Sequence, residues 1–231
     1  MAVLYHHPFC PFSRFIRLVM AEMGLAADLI EEKVWERREG FLALNPAGTT
    51  PVLAEEQIAA VPGSTVIAEW LDETRGLALG DRRLLPENPA KRVEVRRLMA
   101  WFGEKFAEEV SVPLVQEKIY KRFIHAGTGG GSPDTALIRA AKNNIRYHMQ
   151  YVGFLIRQRN WLAGDVLTYA DLMAAAHLSV ADYLGGLDWR GHKQTTDWYA
   201  VMKSRPSFRP LLGERMEVIA PPPHYDKVDF F

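Results

Sequence analysis

The sequence contains a single cysteine among its 231 residues and has no long run of apolar residues. One cysteine excludes an internal disulfide and is typical of a reducing compartment. A membrane-spanning helix needs about 18 or more apolar residues in succession, and no segment approaches that length. The N-terminus also lacks the charged and apolar regions of a signal peptide. We therefore expect a cytoplasmic protein that does not insert into a membrane.

Motifs for metal and nucleic-acid binding are also missing. Among the seven histidines only His6 and His7 are close together, so the sequence predicts no metal site. No nucleic-acid-binding motif is present. The net charge is zero, but residues 89–160 carry 13 Lys and Arg residues against 6 Asp and Glu residues. This basic block indicates either a solvated helical face or a surface for an acidic partner.

The hydrophobic pattern divides the chain into four parts. Residues 1–76 alternate strand-like and helix-like segments in a βαβ–ββα order, which predicts an α/β thioredoxin-like domain. Residues 77–88 are rich in Gly, Pro and Asp and predict a linker. Residues 89–219 repeat apolar positions at helical spacing and predict an all-helical domain. Residues 220–231 contain three consecutive prolines and predict an extended C-terminal tail.

Individual elements and helix ends can also be predicted. In the first domain we expect a second strand over residues 29–34 and a short helix over residues 39–44. A hairpin is expected from strands at 51–54 and 57–60, followed by a further helix over residues 64–74. Ser64 is the expected N-cap residue of that further helix. Pro113 is expected to bend a helix over residues 89–123, and a second helix is expected to end near Arg159. Thr168 and Asp171 form a variant of the capping box at the start of another helix.

The loop Cys10-Pro11-Phe12-Ser13 follows an apolar strand and opens a helix-patterned run. A helix N-terminus stabilises a thiolate, and proline suits the first turn. The loop is therefore compatible with sulfur chemistry at Cys10 or Ser13. It is equally compatible with a structural cysteine at a strand–helix junction. An internal dithiol cycle is excluded because a resolving cysteine is absent.

Several motifs resemble those of glutathione transferases. In the first domain they are the loop at Cys10, the segment Asn45-Pro46-Ala47-Gly48-Thr49-Thr50-Pro51-Val52-Leu53 and the segment Gly63-Ser64-Thr65-Val66-Ile67-Ala68-Glu69-Trp70-Leu71. In the second domain, Thr168-Tyr169-Ala170-Asp171 and residues 198–212 resemble the family's helical half. The resemblance covers about residues 1–217 and implies the glutathione transferase fold.

The resemblance also implies a glutathione site. Cys10 or Ser13 would contact the sulfur, and Thr50 before a cis Pro51 would hold the cysteinyl part. In the family, an acid followed by a serine, here Ser64, holds the γ-glutamyl end.

Gly63 stands where the family has that acid. Losing a charged hydrogen bond costs roughly 1.5–3 kcal/mol, which weakens glutathione binding about 10- to 100-fold. The site is therefore predicted to be vestigial unless Glu69 or a neighbouring chain supplies the carboxylate. We expect no cofactor.

Two features outside this site indicate partner binding. Trp35 lies in a charged segment, with Arg37 and Arg38 close by in the sequence. It either covers apolar atoms of the core or is exposed as an anchor for a partner protein. The tail carries aromatic residues that either enter a partner's groove or fold back on the chain's own surface. The candidate tail contacts are Tyr225, Asp229, Phe230 and Phe231.

This combination is similar to the glutathione-transferase-like division proteins of alphaproteobacteria that bind the tubulin homologue FtsZ. That resemblance implies a non-enzymatic homodimer at the division site that binds FtsZ filaments and bundles or curves them. It also implies a link to cell-wall synthesis, and the tail is the candidate contact with a further division protein. The alternative is a glutathione-dependent transferase or thiol transferase that uses Cys10 or Ser13.

Overall fold

The computed structural model describes residues 2–56 and 58–228, and within these ranges a mixed sheet forms the base of the first domain. Its strands are β1 (Val3–His6), β2 (Asp28–Glu31), β3 (Val52–Ala54) and β4 (Val61–Pro62). The order across the sheet is β2-β1-β3-β4. Strand β1 runs parallel to β2 and antiparallel to β3, which confirms the α/β thioredoxin-like layout.

The helices of this domain pack against the sheet. They are α1 (Pro11–Glu22), α2 (Glu39–Leu44) and α3 (Ser64–Arg75), with a short 3-10 turn at Val34–Glu36. Helix α1 buries Phe15, Ile16 and Val19 at helical spacing against the core that includes Leu4 of β1 and Leu53 of β3. Burial of this apolar face fixes the position of the helix on the sheet.

Three predictions for the first domain are corrected. Strand β2 ends at Glu31 because the chain enters the 3-10 turn, so it does not continue to Val34. The second hairpin strand lies at Val61–Pro62 and not at residues 57–60. Between β3 and β4, Glu55 accepts a hydrogen bond from the Trp70 indole of α3 at 2.9 Å. At α3 the N-cap residue is Gly63, and Ser64 is the first residue inside the helix.

The second domain begins with one long helical segment whose hydrogen-bonding pattern changes along its length. Its α-helical parts are α4 (Pro89–Ala100), α5 (Val112–Val115) and α6 (Lys121–Phe123). A first π segment (Trp101–Ser111) and a second π segment (Gln116–Tyr120) lie between them. Pro113 therefore sits between two π segments, while Ser111 and Val112 keep right-handed helical dihedral angles. Because Pro113 lacks an N–H, a changed pattern is expected there.

Helix α8 (Tyr169–Tyr183) lies at the centre of the second domain, and all of its residues are buried. The predicted capping box at its start is confirmed, with Thr168 as N-cap and Asp171 as its partner. The other helices are α7 (Thr135–Ile156), α9 (Lys193–Ser204) and α10 (Arg209–Gly213). No helix within the described ranges is long and apolar enough to cross a lipid bilayer.

Candidate functional site

A cleft of about 540 Å³ lies where the first domain meets the long helical segment of the second. The starts of α1 and α3 and the turn before β3 form one side of this cleft. Helix α5 and the second π segment form the other side. The five residues predicted for the vestigial site all line it: Cys10, Thr50, Pro51, Gly63 and Ser64. The Thr50–Pro51 peptide bond is cis, as predicted.

Cys10 is the N-cap residue of α1, and Pro11 occupies the first turn, as the sequence predicts. The thiol is buried and donates to the carbonyl oxygen of Thr50 at 3.5 Å. Ser13 lies elsewhere: it is fully buried, and its hydroxyl accepts a hydrogen bond from the His7 N–H at 3.3 Å. Of the two residues predicted to contact a sulfur, the cleft therefore contains Cys10 and not Ser13.

The γ-glutamyl end of glutathione finds no acidic partner in this cleft. Gly63 supplies only backbone, with φ at +90°. Glu69 does not replace the acid, because its two carboxylate oxygens accept from Arg96 at 3.0 and 2.9 Å. Among the described residues that line the cleft, none is Asp or Glu. The cleft therefore does not fit the ammonium group of glutathione, although the helix N-termini suit its carboxylates.

Trp35 belongs to a group of aromatic rings that we call the aromatic cluster: His7, Trp35, Tyr120 and Phe123. The Trp35 indole stacks on Phe123 at 5.0 Å with an interplanar angle of 8°. His7 and Tyr120 also contact the indole, with ring centroids at 5.4 and 5.3 Å. Trp35 is half-buried, whereas Phe123 is 44% exposed. Trp35 is thus held at the domain junction by three rings and remains partly exposed.

Three members of the aromatic cluster, His7, Trp35 and Phe123, line a second cleft of about 570 Å³. Trp35 and Phe123 line it together with charged side chains of both signs, namely Glu31, Lys33, Glu36, Arg215 and Glu217. Val34, the residue before Trp35 in the sequence, lines the first cleft instead. The two clefts therefore lie on opposite sides of one short turn.

Arg37 and Arg38 are both exposed but differ in their surroundings. Arg38 donates to the buried carboxylate of Glu32 at 2.6 Å, so its charge is already paired. That partner raises the pKa of Arg38. Arg37 makes no ion pair with any other described residue, and it adopts a left-handed conformation with φ at 48°. Of the two predicted arginines, only Arg37 presents an uncompensated charge.

The first domain matches a family model described as glutathione S-transferase, N-terminal domain, over residues 9–74. A crystal structure of a glutathione S-transferase from Sinorhizobium meliloti 1021 is similar over 99% of both chains, at 49% sequence identity and a TM-score of 0.96. The chain belongs to the glutathione transferase family. The expected fold is therefore confirmed for the helical domain as well as for the first domain.

Two further similarities extend over nearly the whole chain. It is 39% identical to FtsZ-localized protein A of Caulobacter vibrioides (strain NA1000 / CB15N) over 230 residues, which are 98% of this chain and 97% of the relative. The structure of FzlA from C. crescentus is similar over 99% of both chains, with 38% identity and a TM-score of 0.90.

The tail prediction is corrected at Tyr225. Its hydroxyl accepts from the buried guanidinium of Arg14 at 3.0 Å and donates to the Leu211 carbonyl at 3.2 Å. Tyr225 is fully buried and so is not available to a partner; it folds back onto its own chain. The physical reason is Arg14, a buried charge that needs oxygen partners inside the core. Asp229, Phe230 and Phe231 lie outside the described residues, and their role stays a prediction.

Sequence reasoning missed all three contacts of Trp35 in the aromatic cluster, and two of them, Tyr120 and Phe123, come from the second domain. Both lie in the basic and aromatic stretch Lys118-Ile119-Tyr120-Lys121-Arg122-Phe123, which also describes an ordinary amphipathic helix. Their separation from Trp35 in sequence hides the contact. The available signal was the presence of aromatic residues in a basic stretch.

Proposed function

We propose that this protein binds FtsZ filaments and supports cell division at the division site, as a member of the glutathione transferase family that does not act as an enzyme. The observation that carries the proposal is the 39% identity to FtsZ-localized protein A along 98% of this chain. A relationship over both domains favours a shared role over a shared fold alone. The aromatic cluster supports the proposal because it offers a ready docking surface.

We place the filament contact at Trp35 and Phe123. Stacked aromatic rings beside a cleft are typical anchors of protein interfaces. His7 and Tyr120 hold the indole in place before binding, which reduces the side-chain entropy lost on association. We expect Arg37 to pair with an acidic group of the partner, since Arg38 is committed to Glu32.

A homodimer would present this surface twice. Val66 of α3, which lines the first cleft, and Val93 of α4 are 57% and 66% exposed. The Glu69–Arg96 pair joins the same two helices one turn further along. These two exposed valines are our candidates for the contact between copies. A two-fold dimer with two filament-binding surfaces would cross-link or bend filaments through avidity.

A transferase activity that uses Cys10 is the second candidate, because the thiol lines the first cleft at a helix N-terminus. It predicts turnover of an electrophile with glutathione that Cys10→Ala abolishes. Our proposal predicts no turnover above the uncatalysed rate in either protein.

The filament contact is tested by co-sedimentation with polymerised FtsZ. We expect Trp35→Ala to weaken binding about tenfold or more, which corresponds to about 1.4 kcal/mol or more of lost contact energy. The matched control is Trp101→Ala, which removes another half-buried tryptophan that contacts Tyr151 at 4.5 Å, in the helical domain. The control is expected to bind like the natural protein. Equal binding by all three folded proteins would refute the assignment of Trp35.

A further inference from the structure

One edge of the sheet in the first domain is open. Strand β2 comes first in the order β2-β1-β3-β4, so within the described ranges no other strand pairs with its outer side. All of its residues, Asp28–Glu31, are exposed, including the apolar side chains of Leu29 and Ile30 at 49% and 40% exposure. An exposed edge strand with unpaired backbone groups is a template for pairing with another chain.

The hydrogen bonds to β1 show which backbone groups of β2 point outward. The N–H groups of Asp28 and Glu32 donate to carbonyl oxygens at or next to the two ends of β1, at 3.0 and 2.8 Å. Because backbone groups alternate in direction along a strand, those of Leu29 and Glu31 point away from β1. An added strand would therefore bond to the N–H and C=O groups of these two residues.

Beside this edge lies a mainly apolar groove of about 220 Å³, which we call the edge groove. Leu29 lines it together with Met20 of α1 and Leu211 of α10. Arg17 is the only charged residue among the described residues that line it, and its guanidinium is already bonded to the Glu214 carboxylate at 2.5 Å. Paired residues on neighbouring strands have their side chains on the same face, so an added strand would direct alternate side chains toward this groove.

The charges at this edge indicate which kind of strand fits. Asp28 and Glu31, at the two ends of β2, are exposed, and neither forms an ion pair with another described residue. The basic residue nearest to them in the sequence, Lys33, pairs with Glu36 at 3.9 Å. Two β2 strands paired antiparallel about a two-fold axis would set Asp28 opposite Glu31, and like charges directly opposite each other are destabilising. The acidic ends therefore disfavour a second copy of this chain and favour a strand with basic ends.

We propose that β2 accepts an added β-strand from a partner protein, a segment that alternates apolar and polar residues and has a basic residue at each end. The backbone of that segment bonds to Leu29 and Glu31, which supplies affinity. One of its apolar side chains enters the edge groove, and its basic ends pair with Asp28 and Glu31. This contact is separate from the proposed filament contact, because Asp28 and Leu29 do not line the second cleft.

The charge preference is tested by calorimetry with two peptides that are blocked at both ends, KTVTVTVK and ETVTVTVE. Both alternate threonine with valine, and they differ only in the charge of their ends. At low ionic strength we expect the basic peptide to bind about tenfold or more tightly than the acidic one, because two attractive pairs replace two repulsive ones. Equal binding, tighter binding of the acidic peptide or an absence of binding by both would overturn the proposal.

Backbone pairing is tested with two further forms of the basic peptide, N-methylated either at its valines or at its threonines. Methylation removes backbone donors but keeps the charges and the side chains. In an added strand only one of these two sets of amides faces β2, so we expect one form to lose about tenfold or more in affinity and the other to lose less. Equal effects of the two methylations, whether both forms lose affinity or neither does, would refute strand addition.

The position of the peptide is tested with Leu29→Lys, which replaces an apolar contact with a positive charge. The matched control is Leu137→Lys on α7, because the two leucines are similarly exposed, at 49% and 47%, and Leu137 does not line the edge groove. We expect the first variant to bind the basic peptide about tenfold or more weakly and the control to bind it like the natural protein. Asp28→Lys, at an exposed position, is a second variant that should also weaken binding, and circular dichroism verifies that all three proteins fold. Unchanged binding in a folded Leu29→Lys or Asp28→Lys protein places the peptide elsewhere and refutes the site.

Discussion

Gly63 affects both the backbone conformation at the start of α3 and the chemistry of the first cleft. It is the N-cap of α3, with φ at 90° and ψ at 132°. L-amino acids rarely adopt this conformation, which costs of order 1–3 kcal/mol. A Cβ atom added at this position meets nothing within 4 Å. Backbone conformation, and not lack of space, therefore favours glycine here, and the same glycine removes a carboxylate from the cleft.

We expect Gly63→Ala to lower the free energy of unfolding by about 1–3 kcal/mol, because alanine must adopt a strained backbone conformation. Chemical denaturation measures the change. The control is Gly213→Ala at the end of α10, where an added Cβ also meets nothing within 4 Å and φ is not positive. That variant is expected to be neutral or slightly stabilising. An equal loss in both proteins would contradict the conformational explanation.

At the scale of one element, the start of α8 depends on Asp171. Its carboxylate accepts from the N–H groups of Leu162 and Thr168 at 2.9 and 3.0 Å, and from the Trp198 indole at 3.2 Å. Asp171 is completely buried, and this burial raises its pKa to about 6. One side chain thus caps the central helix and ties it to the preceding loop and to α9.

We expect Asp171→Ala to destabilise the protein by about 3–5 kcal/mol, because several buried donors lose their acceptor. Asp134→Ala provides the comparison, since Asp134 caps α7 through the N–H groups of Ala136 and Leu137 at an exposed position. Its loss is expected to cost about 1 kcal/mol, because water can replace the missing oxygen. Thermal or urea denaturation measures both changes. Similar costs at the two caps would show that burial of the α8 cap is not the deciding factor.

At the scale of the whole molecule, buried histidines link stability to pH. Burial is the main cause that lowers the pKa of His6 and of His7 to about 4 and that of His177 to about 3. Histidine in an unfolded chain titrates near pH 6.5. Below that pH the unfolded chain takes up protons that the folded protein does not, so stability falls. Asp171 acts in the opposite direction, but one carboxyl opposes four histidines, since burial also lowers the pKa of His148.

The free energy of unfolding is expected to fall as the pH decreases from about 6.5 to 4. In His7→Asn this fall should be shallower, by up to about 1 kcal/mol per pH unit, because one of the four buried histidines is removed. Asparagine keeps an acceptor for the Phe9 N–H, which the His7 ring binds at 3.3 Å. The control is His125→Asn, where an exposed ring accepts from the Gly127 N–H at 3.3 Å. Urea titrations at several pH values give the slopes, and identical slopes in the two variants would disprove the role of His7.

Local sequence accounts for much of the fold and part of the site. The capping box at Thr168, the cis peptide before Pro51, the helix after Cys10 and the missing acid at Gly63 could all be read from residues a few positions apart. Caps, tight turns and proline effects depend on neighbouring backbone groups, so the information is present in short segments. The position of β4 was missed, because it is set by pairing of Val61 and Pro62 with β3, whose partner residues lie outside the short segment.

Packing between distant segments accounts for the rest. The position of Trp35 depends on Tyr120 and Phe123 from another domain, and the burial of Tyr225 depends on Arg14, which lies 211 residues earlier. Ser13 and Cys10 are neighbours on one short loop, yet only Cys10 lines the cleft, because the first turn of α1 directs their side chains differently. No short segment contains this information. Each of these side chains is either exposed to water or packed against a distant segment, and the packing surface forms only when both domains have folded together.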